Sequence, residues 1–496
     1  MPAQRFPRFG ARLSPWLAVL LLLAAPFAAH AATAPAFDPV AATANYIASL
    51  PAAARAKSDA YFEGGYWLPV WDLLISVVQV WFVLRFRIVQ RLRDWALAEK
   101  TTRRLLSAFV FVLGFAVAVL VLKLATGTLP AWFGIARFAV GMIAGGFVAF
   151  FLLKARVAAW ALRPNLHRYL GGVYFIALFA ALAWVLNLPW ALYTDFFREH
   201  AYGLSNLTLG GWFGESLKGL AVNAVMLSLV GSLLYLGIRR APRRWWLIAS
   251  GATPFLFLLL IVITPVFLAP IFNTYRPLAD AKVRDPILSM ARANGVPADN
   301  VYEFDASKQT NRISANVSGA LGTIRVSLND NLLNRCTPAE VQAVMGHELG
   351  HYVLNHSYKL VIYLSLLAVA GFAFAHWAFG FVQRRWVAAR GVGGIDDFAG
   401  LPILLAALSA FMLLATPVQN TIVRTTEAEA DIFGLNAARE PDAFATVSLK
   451  LSDYRKISPG PLEEFVFFDH PSGRSRILMA MRWKAEHLPP PAAVAK

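Results

Sequence analysis

The chain has 496 residues, room for two to four soluble domains, yet 58% are hydrophobic, 15% are charged and mean hydropathy is +0.53. Such a chain cannot bury its apolar surface in a water-soluble fold of ordinary proportions, so most of it faces lipid. A single cysteine, Cys336, excludes an internal disulfide and a cysteine-rich metal site, and the net charge of +17 lies in short loops between apolar runs, which excludes nucleic acid as the partner.

In chain order, residues 1–32 read as an export signal. Arg5, Arg8 and Arg12 precede an apolar run from Trp16 to Ala25, and Ala29-His30-Ala31 offers small residues for cleavage. The alternative is an uncleaved signal anchor. Residues 33–270 form an N-terminal membrane domain with about six spans, near 67–86, 105–125, 132–153, 169–193, 219–237 and 246–270. Each approaches the ~20 apolar residues that cross ~30 Å of hydrocarbon.

Residues 271–358 are the first long polar block. A helix is expected over 279–294, then strands near 300–305, 312–318 and 322–328, with Ser318–Gly322 as a hairpin turn. Two further spans, near 359–382 and 399–419, occupy 359–420. The final block, 421–496, is largely helical and ends in a Pro-rich tail, Pro489-Pro490-Pro491. The predicted fold is therefore mainly α: a polytopic helical membrane protein with a zincin-like catalytic domain carrying a small β-hairpin or sheet.

Loop charge gives a topology. Basic residues cluster at 85–104, 154–168, 239–244 and 384–390, and these loops alternate with eight spans. By the positive-inside rule they are cytoplasmic, which places both polar blocks on the periplasmic side of a bacterial inner membrane.

The chemistry is concentrated in His347-Glu348-Leu349-Gly350-His351. Thr337-Pro338-Ala339-Glu340 reads as a capping box that starts a helix here, and Val341, Val344, Met345 and Leu349 give it an apolar face. Histidines at i and i+4 share that helix's side, so both imidazoles reach one metal ion. Glu348 then lies beside the open coordination position, where it takes a proton from bound water; zinc suits this set best. A catalytic zinc needs a third protein ligand, and Glu427-Ala428-Glu429-Ala430-Asp431 supplies candidates. Glu427 and Asp431 share a helical face, one as a ligand and the other as a hydrogen-bond acceptor for a ligand imidazole. Glu429 points to another face.

These motifs resemble those of the integral-membrane zinc metalloproteases of the type I CAAX prenyl endopeptidase family, in which His-Glu-x-x-His is followed far along the chain by Glu-x-x-x-Asp. Further likenesses are Pro265–Asn273 with Pro277-Leu278, Glu199–Asn206, and His470-Pro471 with Arg476. The resemblance covers about 195–480 well and 33–90 loosely. It implies His347, His351 and Glu427 as ligands of one Zn2+ per chain, Glu348 as general base and Asp431 as the residue that orients a ligand. It also implies that Asn316 lies in a strand along which an extended substrate adds by main-chain hydrogen bonds. His470 is then an oxyanion donor, with Arg476 holding it or binding a carboxylate. His356 follows the metal motif in such enzymes but is not a ligand.

The family's eukaryotic members are described with the catalytic block toward the cytosol, opposite to the charge count here. A bacterium also lacks their usual farnesylated substrates, so that substrate does not carry over. The expected activity is zinc-dependent peptide hydrolysis on a peptide or membrane-protein substrate at the bilayer. The alternatives are a quality-control protease using the same site, or a transporter or channel with a structural zinc. Oligomeric state is not legible.

Overall fold

The computed structural model describes residues 37–105, five positions between 141 and 147, 163–319, 324–387 and 390–488. The export signal, nearly all of the spans expected at 105–125 and 132–153, the hairpin tip and the Pro-rich tail lie outside the described residues.

Among the described residues six helical stretches are long and apolar enough to cross a membrane: Ala52–Arg85, Pro164–Ala201, Leu209–Arg240, Trp245–Phe272, His356–Trp386 and Phe398–Ala438. They answer to the six expected spans that can be compared. The helices are α1 Pro39–Ala48, α2 Ala52–Gly65, α3 Leu68–Arg85, α4 Ile88–Ala96, α5 Pro164–Ala191, α6 Leu209–Arg240 and α7 Trp245–Ile263. They continue with α8 Ala281–Ala293, α9 Asp330–Arg335, α10 Pro338–Val353, α11 His356–Val382, α12 Leu401–Ala438, α13 Pro441–Leu451, α14 Pro461–Phe467 and α15 Gly473–His487.

The described parts of the basic loops meet at one end of the bundle. There Arg93 Nη1 pairs with Asp397 Oδ2 at 2.5 Å, Gln90 Nε2 donates to the Arg390 carbonyl at 3.1 Å, and the Arg239 guanidinium lies 4.6 Å from the Phe398 ring centroid. Phe175, Tyr235, Trp245, Phe379 and Phe398 form a buried aromatic core beneath them. From this end α12 runs to the opposite one, where α10 and the polar blocks lie.

The soluble part is built on a sheet of four strands, β1 Tyr275–Pro277, β2 Val301–Phe304, β3 Ala315–Ser318 and β4 Arg325–Asn329, in the order β1-β2-β4-β3. β2 and β4 are parallel, with Val301 opposite Val326; the other pairs are antiparallel. The sequence reading has three of these strands and misses β1, whose Pro277 is tolerated because β1 is an edge strand. Val301, Val326, Leu328, Leu332, Val341 and Met345 pack the sheet onto α10. This leaves β3 as the second edge, with α10 beside it.

α10 begins as expected. Thr337 Oγ1 accepts from the Glu340 amide at 3.3 Å, Glu340 Oε2 accepts from the Thr337 amide at 2.7 Å, and Pro338 occupies the first turn. Two boundaries fall differently. The division drawn at residue 420 lies inside α12, which is continuous for 38 residues and carries both a span and the acidic motif. The division at 358 is instead a sharp turn at Asn355, whose φ of 57° separates α10 from α11.

Candidate metal centre and active site

The site exists because α10 and α12 cross backbone to backbone at Gly346 and Gly434. A Cβ on Gly434 would lie 2.7 Å from the His347 amide nitrogen, and one on Gly346 would lie 3.0 Å from the Gly434 carbonyl oxygen. Gly350 meets the Ala430 Cα in the same way, at 3.2 Å. Backbone therefore rests on backbone, and the paired side chains of each helix project into one space.

His347 Nε2 is 3.1 Å from His351 Nε2 and 3.2 Å from Glu427 Oε2, and His351 Nε2 is 3.4 Å from Glu427 Oε1. The candidate donor atoms of the three residues all fall within 4.8 Å of one another. Glu427 Oε2 also lies 3.2 Å from His470 Nε2, yet it is buried and has no hydrogen bond of acceptable geometry. A buried carboxylate oxygen left bare between imidazole nitrogens is what a cation would satisfy. Two imidazoles and one carboxylate therefore fit a metal ion.

The outer nitrogen of His347 is fixed. Its Nδ1 donates to Asp431 Oδ1 at 2.7 Å, and Asp431 takes two further bonds from Arg476, Nε to Oδ2 at 2.9 Å and Nη2 to Oδ1 at 2.6 Å. Asp431 is fully buried, and this bidentate pair compensates its charge. Burial alone would lower the His347 pKa, but hydrogen bonds to Asp431 and Glu427 outweigh it and raise it to about 10. A metal ion held at Nε2 would have to displace a proton there. Burial raises the Glu348 carboxyl above the ordinary glutamate range, against the pull of His347 and His351, which favours accepting a proton.

Glu348, His347, His470 and Arg476 line one cavity of about 230 Å³ together with Ala315 of the β3 edge and Ser314 just before it. His470 Nδ1 is 2.9 Å from Asp469 Oδ1, so both of its nitrogens face carboxylate oxygens. Arg476 sits on Asp431 rather than on His470, which makes it a holder of the His347 orientation. Asn316 pairs with Ser327 within the sheet, and its neighbours Ile313 to Ala315, not Asn316, line the cavity.

The Glu199–Asn206 loop braces the approach to β3. Arg312 donates to Glu199 Oε2 at 2.7 Å and to the Tyr61 hydroxyl at 2.8 Å, and the Asn206 amide bonds the Gln309 carbonyl at 3.0 Å. Tyr454 and Arg455 line the catalytic cavity and an adjoining one of about 950 Å³ bordered by α2, α3 and α12. Neither residue carries a sequence signal. Three other histidines are structural: His376 accepts from the Trp245 indole at 3.0 Å, His167 contacts Thr102 and the Leu97 carbonyl, and His200 bonds the Phe196 carbonyl.

Comparison with known proteins accounts for most of the chain. Residues 277–484 match the model of peptidase family M48, and 127–274 match the CAAX prenyl protease N-terminal model of five membrane helices. The chain is a membrane metalloendopeptidase of the M48 family. An uncharacterized metalloprotease, YhfN of Bacillus subtilis, is 28% identical over 68% of this chain and 81% of its own length. CAAX prenyl protease 1 of Saccharomyces cerevisiae is 26% identical over 61% and 70%. The human homologue is 24% identical over 70% and 81%. The crystal structure of S. mikatae Ste24p shares the fold, with a TM-score of 0.55 at 20% identity, covering 77% of this chain and 98% of that one. Membership decides for an enzyme over a transporter and, with the donor cluster, for a metal.

The crossing makes a prediction. In Gly434→Ala the new methyl meets the His347 backbone, so the helices part and Glu427 loses register with the imidazoles. Metal retention after dialysis of this M48 enzyme should fall by about 10–100-fold with helical content unchanged. Gly251→Ala, where a Cβ meets nothing within 4 Å, should retain metal like wild type. Equal retention in both variants would contradict the crossing argument.

Proposed function

We propose that this enzyme is a zinc-dependent endopeptidase of a bacterial inner membrane, in which His347, His351 and Glu427 hold the metal and Glu348 is the general base. The observation that carries this reading is the convergence of two imidazoles and a bare carboxylate oxygen beside Glu348, in a cavity bordered by a free strand edge. Zinc held there supplies Lewis acidity to a peptide carbonyl and acidifies a water.

The protein's own groups do the rest. An extended peptide adds to the β3 edge near Ala315 and Asn316, which fixes the scissile carbonyl by main-chain hydrogen bonds. Glu348 takes the proton of the attacking water and returns it to the leaving amine. His470 has both ring nitrogens facing carboxylates, and an N–H at Nε2 is its donor to the developing oxyanion. Asp431, held by Arg476, keeps the His347 lone pair aimed at the metal. The expected partners are a peptide or membrane-protein substrate and the lipid bilayer.

Purified wild type should contain about one zinc per chain. His347→Ala and Glu427→Ala should lose most of it, whereas Glu348→Gln should keep the metal and lose proteolysis. His470→Ala should keep metal and stability while kcat falls by about 10²–10³. Zinc content and peptide cleavage, measured together, check this; equal zinc in all variants would remove the ligand assignment.

Orientation follows from charge. The basic loops gather at one end of the bundle, and α11, at 27 residues, spans ~40 Å toward the catalytic end. With the basic loops taken as cytoplasmic, this supports a site on the periplasmic side. A reporter active only outside the cytoplasm should work when fused after residue 330 and stay silent within 85–104 or 239–244. The opposite pattern would turn the active site to the cytosol.

A further inference from the structure

His351 has an outer nitrogen too, and its partner is unusual. While Nε2 faces Glu427 and His347, Nδ1 lies 3.0 Å from Nδ1 of His356, a side chain only 1% exposed. His356 Nε2 lies in turn 3.0 Å from Glu429 Oε2, which also accepts from Lys359 Nζ at 2.6 Å.

These contacts fix every proton. To present a lone pair to a metal at Nε2, His351 must carry its proton on Nδ1. That proton is donated to His356 Nδ1, which must then be the bare nitrogen of a neutral ring. The His356 proton is left on Nε2, where a carboxylate that can only accept, Glu429, receives it. Lys359 compensates the Glu429 charge, as Arg476 does for Asp431. The two ligand imidazoles are thus held by parallel chains: His347 by Asp431 and Arg476 directly, His351 by Glu429 and Lys359 through an interposed imidazole.

The fold explains the second chain. The left-handed turn at Asn355 starts α11 so that its first residue, His356, faces back toward His351. α12 lies between α10 and α11. Glu427 and Asp431 occupy its face toward α10, and Glu429, two residues from each, occupies the opposite face, where α11 packs.

We propose that His356, held by Glu429 and Lys359, is a positioning residue that fixes the metal-binding tautomer and orientation of His351. The inference rests on the metal site proposed above and extends it to residues that touch neither metal nor substrate.

The test is titration of purified, metal-free full-length protein in detergent with Co2+, read by its visible absorption, followed by competition with Zn2+. His356→Phe keeps a ring but removes the acceptor, and is expected to weaken metal by about 10–100-fold and shift the Co2+ spectrum. His356→Asn restores a carbonyl acceptor at the Nδ1 position and should recover most of the affinity and the wild-type spectrum. Glu429→Ala removes a half-exposed carboxylate without disturbing the core and should produce a smaller loss of the same kind.

The proposal is overturned if His356→Phe and Glu429→Ala bind like wild type, or if His356→Asn is as impaired as His356→Phe, since packing would then explain the loss. Should His356→Phe fail to fold, the Glu429→Ala affinity decides alone, with an unchanged value overturning the proposal. Failure of wild type to bind either ion would instead remove the metal reading, and this inference with it.

Discussion

The crossing of α10 and α12 at Gly346 and Gly434 is the contact on which the functional architecture depends. With no Cβ on either side, the backbones approach until a methyl group would overlap the His347 amide. Short side chains from both helices then reach a common centre: two imidazoles from one turn of α10 and a carboxylate from one turn of α12. The same closeness buries Asp431 where it can accept from His347. It also leaves the far face of α12 against α11, so one acidic helix addresses both ligand histidines.

Placing so many ionisable groups together is costly unless each charge has a partner. Asp431 has the two-pronged bond of Arg476, and Glu429 has Lys359 and the His356 ring. Among the fully buried side-chain oxygens of this cluster, Glu427 Oε2 is the one left without a hydrogen bond. The uncompensated negative charge of the cluster is therefore focused at the place where a divalent cation would sit. Glu348 and the β3 edge stand beside it, so the polarising centre, the base and the surface that aligns a peptide share one small cavity.

Much of this was legible beforehand because it rests on local rules. The capping box at Thr337, the i, i+4 histidines and the i, i+4 acids each depend on one helix's geometry, and the six comparable spans on runs of apolar residues. What was not legible depends on neighbours. Gly346 and Gly434 look like ordinary helix glycines until the partner helix is seen. Helix geometry turns Glu429 away from Glu427, which suggests a solvated carboxylate, but that face meets α11, and the bond to His356 depends on this neighbour. The change from apolar to polar composition near residue 420 suggested a boundary, yet a helix can leave the bilayer without ending, as α12 does. β1 has three residues, one of them proline, too short to show a strand period. The resemblance gives Arg476 either to His470 or to a carboxylate, and the fold gives it to the carboxylate of Asp431.

X-ray absorption at the zinc edge of the purified, zinc-loaded protein tests the central claim most directly. The account predicts a four-coordinate shell of nitrogen and oxygen at about 2.0–2.2 Å with the outer-shell signature of two imidazoles, and the loss of one light ligand in Glu427→Ala. A shell containing sulfur at about 2.3 Å, from Cys336, or one unchanged by removal of Glu427, would contradict it.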